Sequence, residues 1–278
     1  MEVKPGYKQT EVGVIPEDWE VKRIGDFTDC TAGGTPSTKV PNYWGGDIRW
    51  MRSGELHLKE VDEVEGRITE EGLRNSSTKI VPENCILIGL AGQGKTRGTV
   101  AINRIPLCTN QSIAAIFPNK SFVPKYLFHN LNSRYKQFRE LSSGEGGRGG
   151  LNLTLIKSMY VPLPPTLTEQ TAIATALSDA DALIQSLERL IAKKRDVKQG
   201  AMQELLTGKK RLPGFGEGKG YKQTEIGVIP EDWLVKTIAE IAPLQRGFDL
   251  PTTQLKEGSY PVVYSNVMST LNCRIESR

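Results

Sequence analysis

Histidine is nearly missing from this chain: His57 and His129 are the only two among 278 residues. Imidazole supplies many proton relays and metal sites. These two lie far apart in sequence, and each reads as a surface or packing residue. Cysteine is scarce too. Cys30, Cys85, Cys108 and Cys273 form no Cys-x-x-Cys pair, so no metal centre is expected, and a reducing compartment fits better than a secreted one. No apolar run approaches the roughly 20 residues of a membrane span, and no signal peptide opens the chain. The expected setting is the cytoplasm, with no membrane partner. Catalytic signatures are also absent. There is no Gly-x-Ser-x-Gly, no His-Glu-x-x-His and no Gly-x-Gly-x-x-Gly opening a helix. The adenine-methyltransferase tetrad does not occur; its nearest approach, Leu163-Pro164-Pro165-Thr166, fails at both ends. No Pro-Asp…Glu-x-Lys nuclease core is evident, Glu55 and Lys59 being too loosely placed. The chain reads as a non-enzyme without catalytic residues.

What is present is modest in composition. Net charge is +4, the pI is about 8.8, and apolar residues make up 38%. That balance suits a polyanion partner, and equally an ordinary solvated surface. The length allows one large or two ordinary domains.

One motif demands a decision. Residues 89–96, GLAGQGKT, match the phosphate-cradling pattern G-x-x-x-x-G-K-[ST]. A phosphate loop needs a strand before it and a helix starting at the Lys and Thr. Cys85–Ile88 supplies the strand. Beyond the loop, Gly98 to Ile105 alternates like a second strand and Pro106 stops it. The stretch reads as a hairpin with a Gly-rich cationic tip, and a nucleotide hydrolase is the disfavoured alternative.

A repeat organises the rest. Residues 6–24, GYKQTEVGVIPEDWEVKRI, return as residues 220–238, GYKQTEIGVIPEDWLVKTI, with 16 of 19 positions identical. That period is far too long for a solenoid, so a whole unit was laid down twice. Each Trp is expected to anchor its own copy. The second copy has room only for the start of a domain, with a strand near 260–264. The chain reads as a fragment or a truncation, poorly stabilised beyond about residue 240 unless a partner completes it. Between the copies, residues 168–206 form a long helix. Thr168-Glu169-Gln170 supplies its cap, and Gly208 and Pro213 close it. Its apolar positions make three rows, suited to packing on another helix and a domain edge. At about 1.5 Å per residue it spans roughly 55–60 Å and acts as a spacer. The cationic end (Lys193, Lys194, Arg195, Lys198, Lys209, Lys210, Arg211) suits the helix dipole, or alternatively nucleic acid. The preceding domain reads as mixed α+β. Strands are expected near 47–51, 85–90, 98–104 and 112–117, with helices at 124–141 and 152–159.

Three stretches make the chain resemble the specificity (S) subunits of type I restriction–modification systems. They are the repeated opener with Ile-Pro-Glu-Asp-Trp, the run Val161-Pro162-Leu163-Pro164-Pro165-Thr166-Leu167-Thr168-Glu169-Gln170, and Met202-x-x-Leu205-Leu206-Thr207-Gly208-Lys209-x-Arg211-Leu212. Tyr43–Trp50 and Asn110-Gln111-Ser112 are also similar to that family. The resemblance implies an α+β target-recognition domain (1–165), a long α-helical spacer that docks methyltransferase subunits (166–212), and the start of a second, incomplete recognition domain (213–278). It implies sequence-specific binding of double-stranded DNA, with adenine methylation and restriction carried out by partner modification and restriction subunits. S-adenosylmethionine, ATP and Mg²⁺ would belong to those partners, with no cofactor in this chain. With one full recognition domain, the chain departs from the two-domain pattern, and a homodimer through the helix is one way to restore two-fold readout. A truncated partner-binding remnant without useful DNA readout is the alternative.

On this resemblance the Gly-rich loops become DNA candidates. Gln93 suits adenine, Arg97 suits guanine, and Lys95 and Thr96 suit phosphate. A second loop offers Ser143 and Arg148, followed by Asn152. Arg52 and Ser53 are further candidates. For partner docking, the helix offers Glu169, Gln170, Leu183, Leu187, Leu190 and Ile191.

Overall fold

The computed structural model describes residues 3–92, 94–142, 150–245, 260–262 and 271–275. Two compact units divide the chain, Met1–Leu190 and Ile191–Arg278.

The first unit opens with the hairpin β1 (Tyr7–Thr10) and β2 (Gly13–Pro16), then β3 (Glu20–Arg23), the short α1 (Ile24–Phe27) and β4 (Cys30–Ala32). Next come β5 (Trp44–Met51), β6 (Glu60–Val61), β7 (Arg67–Ile68), α2 (Glu70–Arg74) and β8 (Ile80–Val81). The centre is β9 (Ile86–Gly89), β10 (Val100–Asn103), β11 (Leu107–Thr109) and β12 (Ile113–Ile116). Three helices follow, α3 (Pro124–Asn132), α4 (Tyr135–Leu141) and α5 (Leu153–Ser158), then β13 (Tyr160–Leu163) and the long α6 (Leu167–Leu205). The second unit holds the end of α6, the hairpin β14 (Tyr221–Thr224) and β15 (Gly227–Pro230), α7 (Ile238–Ile241), and the pair β16 (Tyr260–Val262) and β17 (Leu271–Ile275).

The core is a five-stranded sheet in the order β4-β12-β9-β10-β6, beside a four-stranded sheet, β7-β5-β11-β8. All four residues of β9, β10 and β12 are buried, so alternation between core and solvent, expected along 98–105, is not what the strand does. Both of its faces are covered. Val100 and Ile102 pack with Ile86, Leu127 and Phe138 on one side, while Ala101 joins Leu87, Leu56 and Val61 on the other. A strand buried on both faces reads as a continuous apolar run.

The expected helix over 124–141 is two. α3 stops at Asn132, and α4 begins at Tyr135. At the break Arg134 donates to the Tyr160 carbonyl at 2.6 Å, fixing the turn against β13. The long helix starts one residue earlier than expected, and its cap is Thr166, whose Oγ1 accepts from the Glu169 N–H at 3.1 Å. The pair Thr166…Glu169 carries the S/T-x-x-E signature of a capping box. At the far end, Gly208 takes φ +72°, the left-handed conformation that closes helices. A Cβ there would come within 2.4 Å of the Pro230 ring, so only glycine fits. No helix among the described residues is long and apolar enough to cross a membrane.

Candidate nucleic-acid interface

The loop 89–99 is a hairpin turn, because β9 and β10 pair antiparallel, with Ile88 opposite Val100. The strand-to-helix junction of a phosphate loop is absent: the residues after Lys95 and Thr96 lead into β10. Glycine shapes the tip. Gly98 has φ +80°, and a Cβ on it would meet the Phe138 Cβ at 2.7 Å. Helix α4 braces the turn from below. Arg139 donates to the Gly94 carbonyl at 2.8 Å, and the Tyr135 hydroxyl to the Lys95 carbonyl at 3.3 Å. The Thr99 hydroxyl reaches the same carbonyl at 2.6 Å.

Sheet topology gathers other loops around this tip. β12 is antiparallel to both β4 and β9. Antiparallel neighbours put the end of one strand beside the start of the next. The ends of β4 and β9 and the starts of β12 and β10 therefore share one end of the sheet. From that end run residues 33–37, 90–92, 94–99 and 110–112. The second sheet adds another loop: β5 and β11 run parallel, and the Asn110 N–H donates to the Met51 carbonyl at 3.1 Å. Arg52 and Ser53 follow at once. The Leu151 N–H donates to the Leu90 carbonyl at 3.1 Å, which brings Asn152 alongside.

Six of the nine expected DNA-contacting residues thus stand on loops at one end of the core. They differ in what their side chains are doing. Lys95 and Arg52 are exposed. Thr96 and Ser53 are half-buried, Ser53 opening a 3₁₀ turn over Ser53–Leu58 that is capped where the Arg52 N–H donates to Glu55 at 2.7 Å. Arg97 is half-buried and turned toward its own domain, with NH1 at 3.5 Å from the Ser142 carbonyl. Asn152 caps α5, its Oδ1 accepting from the Leu155 N–H at 2.9 Å. Gln93, Ser143 and Arg148 lie outside the described residues. The fold adds candidates that single-residue chemistry does not pick out. Thr35 and Gln111 meet at 2.5 Å on neighbouring loops, both exposed, and Asn110 sits at the base of the same loop. The signal for Asn110 and Gln111 is in the sequence, since Asn110-Gln111-Ser112 is among the family-like pieces.

The titratable groups near the core are structural. Burial pushes the Cys85 thiol up to about 12 and the Cys108 thiol up to about 11, so neither is a nucleophile at neutral pH. His129 is buried and its pKa is lowered, chiefly by that burial. It sits 3.0 Å from the Ser178 hydroxyl, joining α3 to α6. Among the described residues no group of His, Cys, Asp and Glu could hold a metal ion.

The helix residues expected to face a partner divide in two. Gln170 is 2% exposed; its Oε1 accepts from the Val123 N–H at 2.8 Å and its Nε2 donates to the Pro164 carbonyl at 3.2 Å. Glu169 accepts from the Trp19 indole N–H at 3.2 Å. Both are engaged by their own domain, and Trp19 anchors the opener through that bond. Leu183, Leu187, Leu190 and Ile191 are 61%, 49%, 49% and 50% exposed. The helix therefore packs on its own domain over its first turns, where Gln170 and Ala174 are buried and Ile173 joins the core.

Comparison with known proteins gives consistent matches. Residues 16–193 match the family described as type I restriction modification DNA specificity domain. The chain is 30% identical over 260 residues to the type I restriction enzyme MjaIX specificity subunit of Methanocaldococcus jannaschii, covering 90% of this chain and 57% of that protein. To the EcoR124I/EcoR124II specificity subunit of Escherichia coli it is 28% identical over 183 residues, covering 65% of this chain and 45% of that one. The chain spans about half the length of the curated relatives it matches. Among solved structures, the HsdS subunit from Thermoanaerobacter tengcongensis aligns with a TM-score of 0.52 at 17% identity, over 72% of this chain and 47% of that one.

Proposed function

The chain belongs to the family of type I restriction–modification DNA specificity domains, and from that premise we propose that it is a non-catalytic, DNA-reading specificity subunit. Its first domain (1–165) reads one half of a split target, its helix (166–212) docks modification subunits, and 213–278 begins a second reading domain. The observation that carries this is the family match over 16–193, the span that holds the whole loop cluster. The cluster supports it physically. Lys95 and Arg52 offer exposed cations to the phosphate backbone, and Thr96, Gln111 and Asn110 offer short polar groups near it. Arg97 reaches a base only after leaving the Ser142 carbonyl, so its role in readout includes a rotamer change on binding. Methylation and restriction, and the S-adenosylmethionine, ATP and Mg²⁺ they use, belong to the modification and restriction subunits. The exposed row Leu183, Leu187, Leu190 and Ile191 is the surface for a partner helix or a second copy. The expected site of action is the cytoplasm.

The test is co-expression with the cognate modification subunit and sequencing of methyladenine across the host genome. A split methylated motif is the expected result. A palindromic motif marks a symmetric pair of these chains; an asymmetric one marks a second specificity chain. No methylation would overturn the reading. On DNA carrying that motif, Lys95→Ala should weaken binding to all sequences alike and reduce the salt slope by about one unit. Arg97→Ala should relax discrimination at one position by about 1–3 kcal/mol.

A further inference from the structure

At one end of the core, two loops are joined by a side-chain bond. The Thr35 hydroxyl donates to the Gln111 Oε1 at 2.5 Å, and both residues are exposed. Each stands on a fixed backbone. Ahead of Thr35, the Gly33 N–H donates to the Ile113 carbonyl at 3.2 Å and the Gly34 N–H to the Thr109 carbonyl at 2.8 Å. The Trp50 indole N–H holds the Gly34 carbonyl at 2.9 Å. A Cβ on Gly33 would overlap the Thr109 carbonyl oxygen, so the two loops lie closer than any larger residue permits. Pro36, just after Thr35, is buried. Around Gln111, the Ser112 N–H donates to the Asn110 Oδ1 at 3.2 Å and the Ile113 N–H to the Asn110 carbonyl at 3.2 Å.

That bond makes the Gln111 amide one-sided. A glutamine amide carries an acceptor oxygen and two N–H donors. Here the oxygen is taken by Thr35, while Nε2 donates to nothing among the described residues. What remains for a ligand is a neutral group with donors only. Bidentate pairing to adenine needs donor and acceptor together, and is closed to it. A phosphate oxygen takes donors alone. Loop length agrees. Residues 110–112 connect β11 directly to β12, whereas the connections after β4 (Ala32 to Trp44) and β9 (Gly89 to Val100), the two strands flanking β12, are longer. A group set back between loops that enter a groove meets the backbone at the groove's rim.

We propose that Gln111 is a sequence-independent contact to one phosphate of the bound DNA, and that Thr35 is its positioning residue. The proposal rests on the DNA-reading function of the chain and adds a division of labour to it. Lys95 and Arg52 attract the backbone by charge. The Thr35–Gln111 pair fixes the duplex by direction, because its donors are aimed before DNA arrives and little side-chain freedom is lost on binding.

The test uses the complex with the cognate modification subunit and DNA carrying its methylated motif, with backbone phosphates replaced one at a time by neutral methylphosphonates. Both side chains are exposed, so substitutions there leave the core intact. Gln111→Glu keeps an acceptor for Thr35 but sets a carboxylate against the phosphate. It should bind the unmodified motif about tenfold or more weakly, while the methylated motif stays the same. One phosphate whose neutralisation weakens the wild type should instead strengthen this variant. Gln111→Ala should leave the salt slope unchanged, because no cation is lost. Thr35→Val frees the amide and should cost about threefold, whereas Thr35→Ser keeps the hydroxyl and should bind as the wild type does. Wild-type affinity of Gln111→Glu, or no phosphate whose effect reverses, would leave Gln111 a structural acceptor for Thr35 and overturn the proposal. A changed base at one motif position would make it a base reader, with the same result. Equal binding by Thr35→Val and Thr35→Ser would remove the positioning role. A wild-type complex that binds no DNA would overturn the DNA-reading function itself, and this contact with it.

Discussion

The opener occurs twice with nearly one sequence and in two environments. The hairpins are the same to the bond. Tyr7 faces Pro16 as Tyr221 faces Pro230, and Lys8 Nζ reaches the Glu17 carbonyl at 2.8 Å as Lys222 Nζ reaches that of Glu231 at 2.8 Å. The short helix after each is held alike. The Arg23 N–H donates to Asp26 at 3.3 Å and the Thr237 N–H to Glu240 at 2.7 Å. Between hairpin and helix the copies part: one segment is a strand, the other is not. Local sequence therefore decides the hairpin and the cap, while the strand exists only where a partner strand is supplied. That is the expected behaviour of a four-residue β segment, which has no stability without a ladder.

The largest expected difference lies at Ile24 and Ile238. Ile24→Ala removes a fully buried side chain from the main core and should cost about 2–5 kcal/mol. Ile238→Ala, at 69% exposure, should stay within about 0.5 kcal/mol. Urea unfolding of both variants measures the contrast. Equal losses would mean that Ile238 is covered in solution and the two copies are in the same state.

A smaller effect separates what each hairpin rests on. The second sits on the end of α6. The Tyr221 hydroxyl donates to the Gly208 carbonyl at 3.1 Å, and a Cβ on Gly208 would lie 2.4 Å from the Pro230 ring. Gly208→Ala places a Cβ in the left-handed region, costing roughly 1–2 kcal/mol, and drives it into Pro230. Amide exchange should rise across 221–230 and remain unchanged across 7–16. Equal exchange in both hairpins would show that the second does not depend on the helix end.

Much of this is legible before the fold. The strands at 85–90, 98–104 and 112–117 are visible as short apolar runs, and the hairpin is visible because β-branched residues come after Lys95-Thr96 where a helix would start. The long helix is visible from its apolar rows and the glycine beyond it. The hidden part is tertiary. Gln170 looks like a surface glutamine in any single-helix view, and only the proximity of Val123 and Pro164 buries it. Arg97 looks like a free cation until α4 brings the Ser142 carbonyl beside it. The convergence of Arg52 with Asn110 depends on β5 and β11 running parallel, a pairing between strands far apart in sequence that no local pattern announces.

The smallest effect concerns charge. Asp232 accepts from Arg211 through both oxygens, at 2.8 and 3.2 Å, and lies 3.6 Å from Lys219. Its counterpart Asp18 makes no ion pair among the described residues. The Arg211 hydrogen bonds, above all, hold the Asp232 carboxyl down at about 2. A depressed carboxylate stabilises the folded form fully above its unfolded value of about 3.9, and the contribution fades as pH falls through the folded value. The contact between Arg211 and the second opener should therefore persist at pH 3 and be lost only near pH 2. Side-chain carboxyl chemical shifts give the midpoint directly. Arg211→Ala should return Asp232 toward about 3.9. An unmoved midpoint would assign the shift to some group other than Arg211, and would remove the ion pair from what distinguishes the second copy.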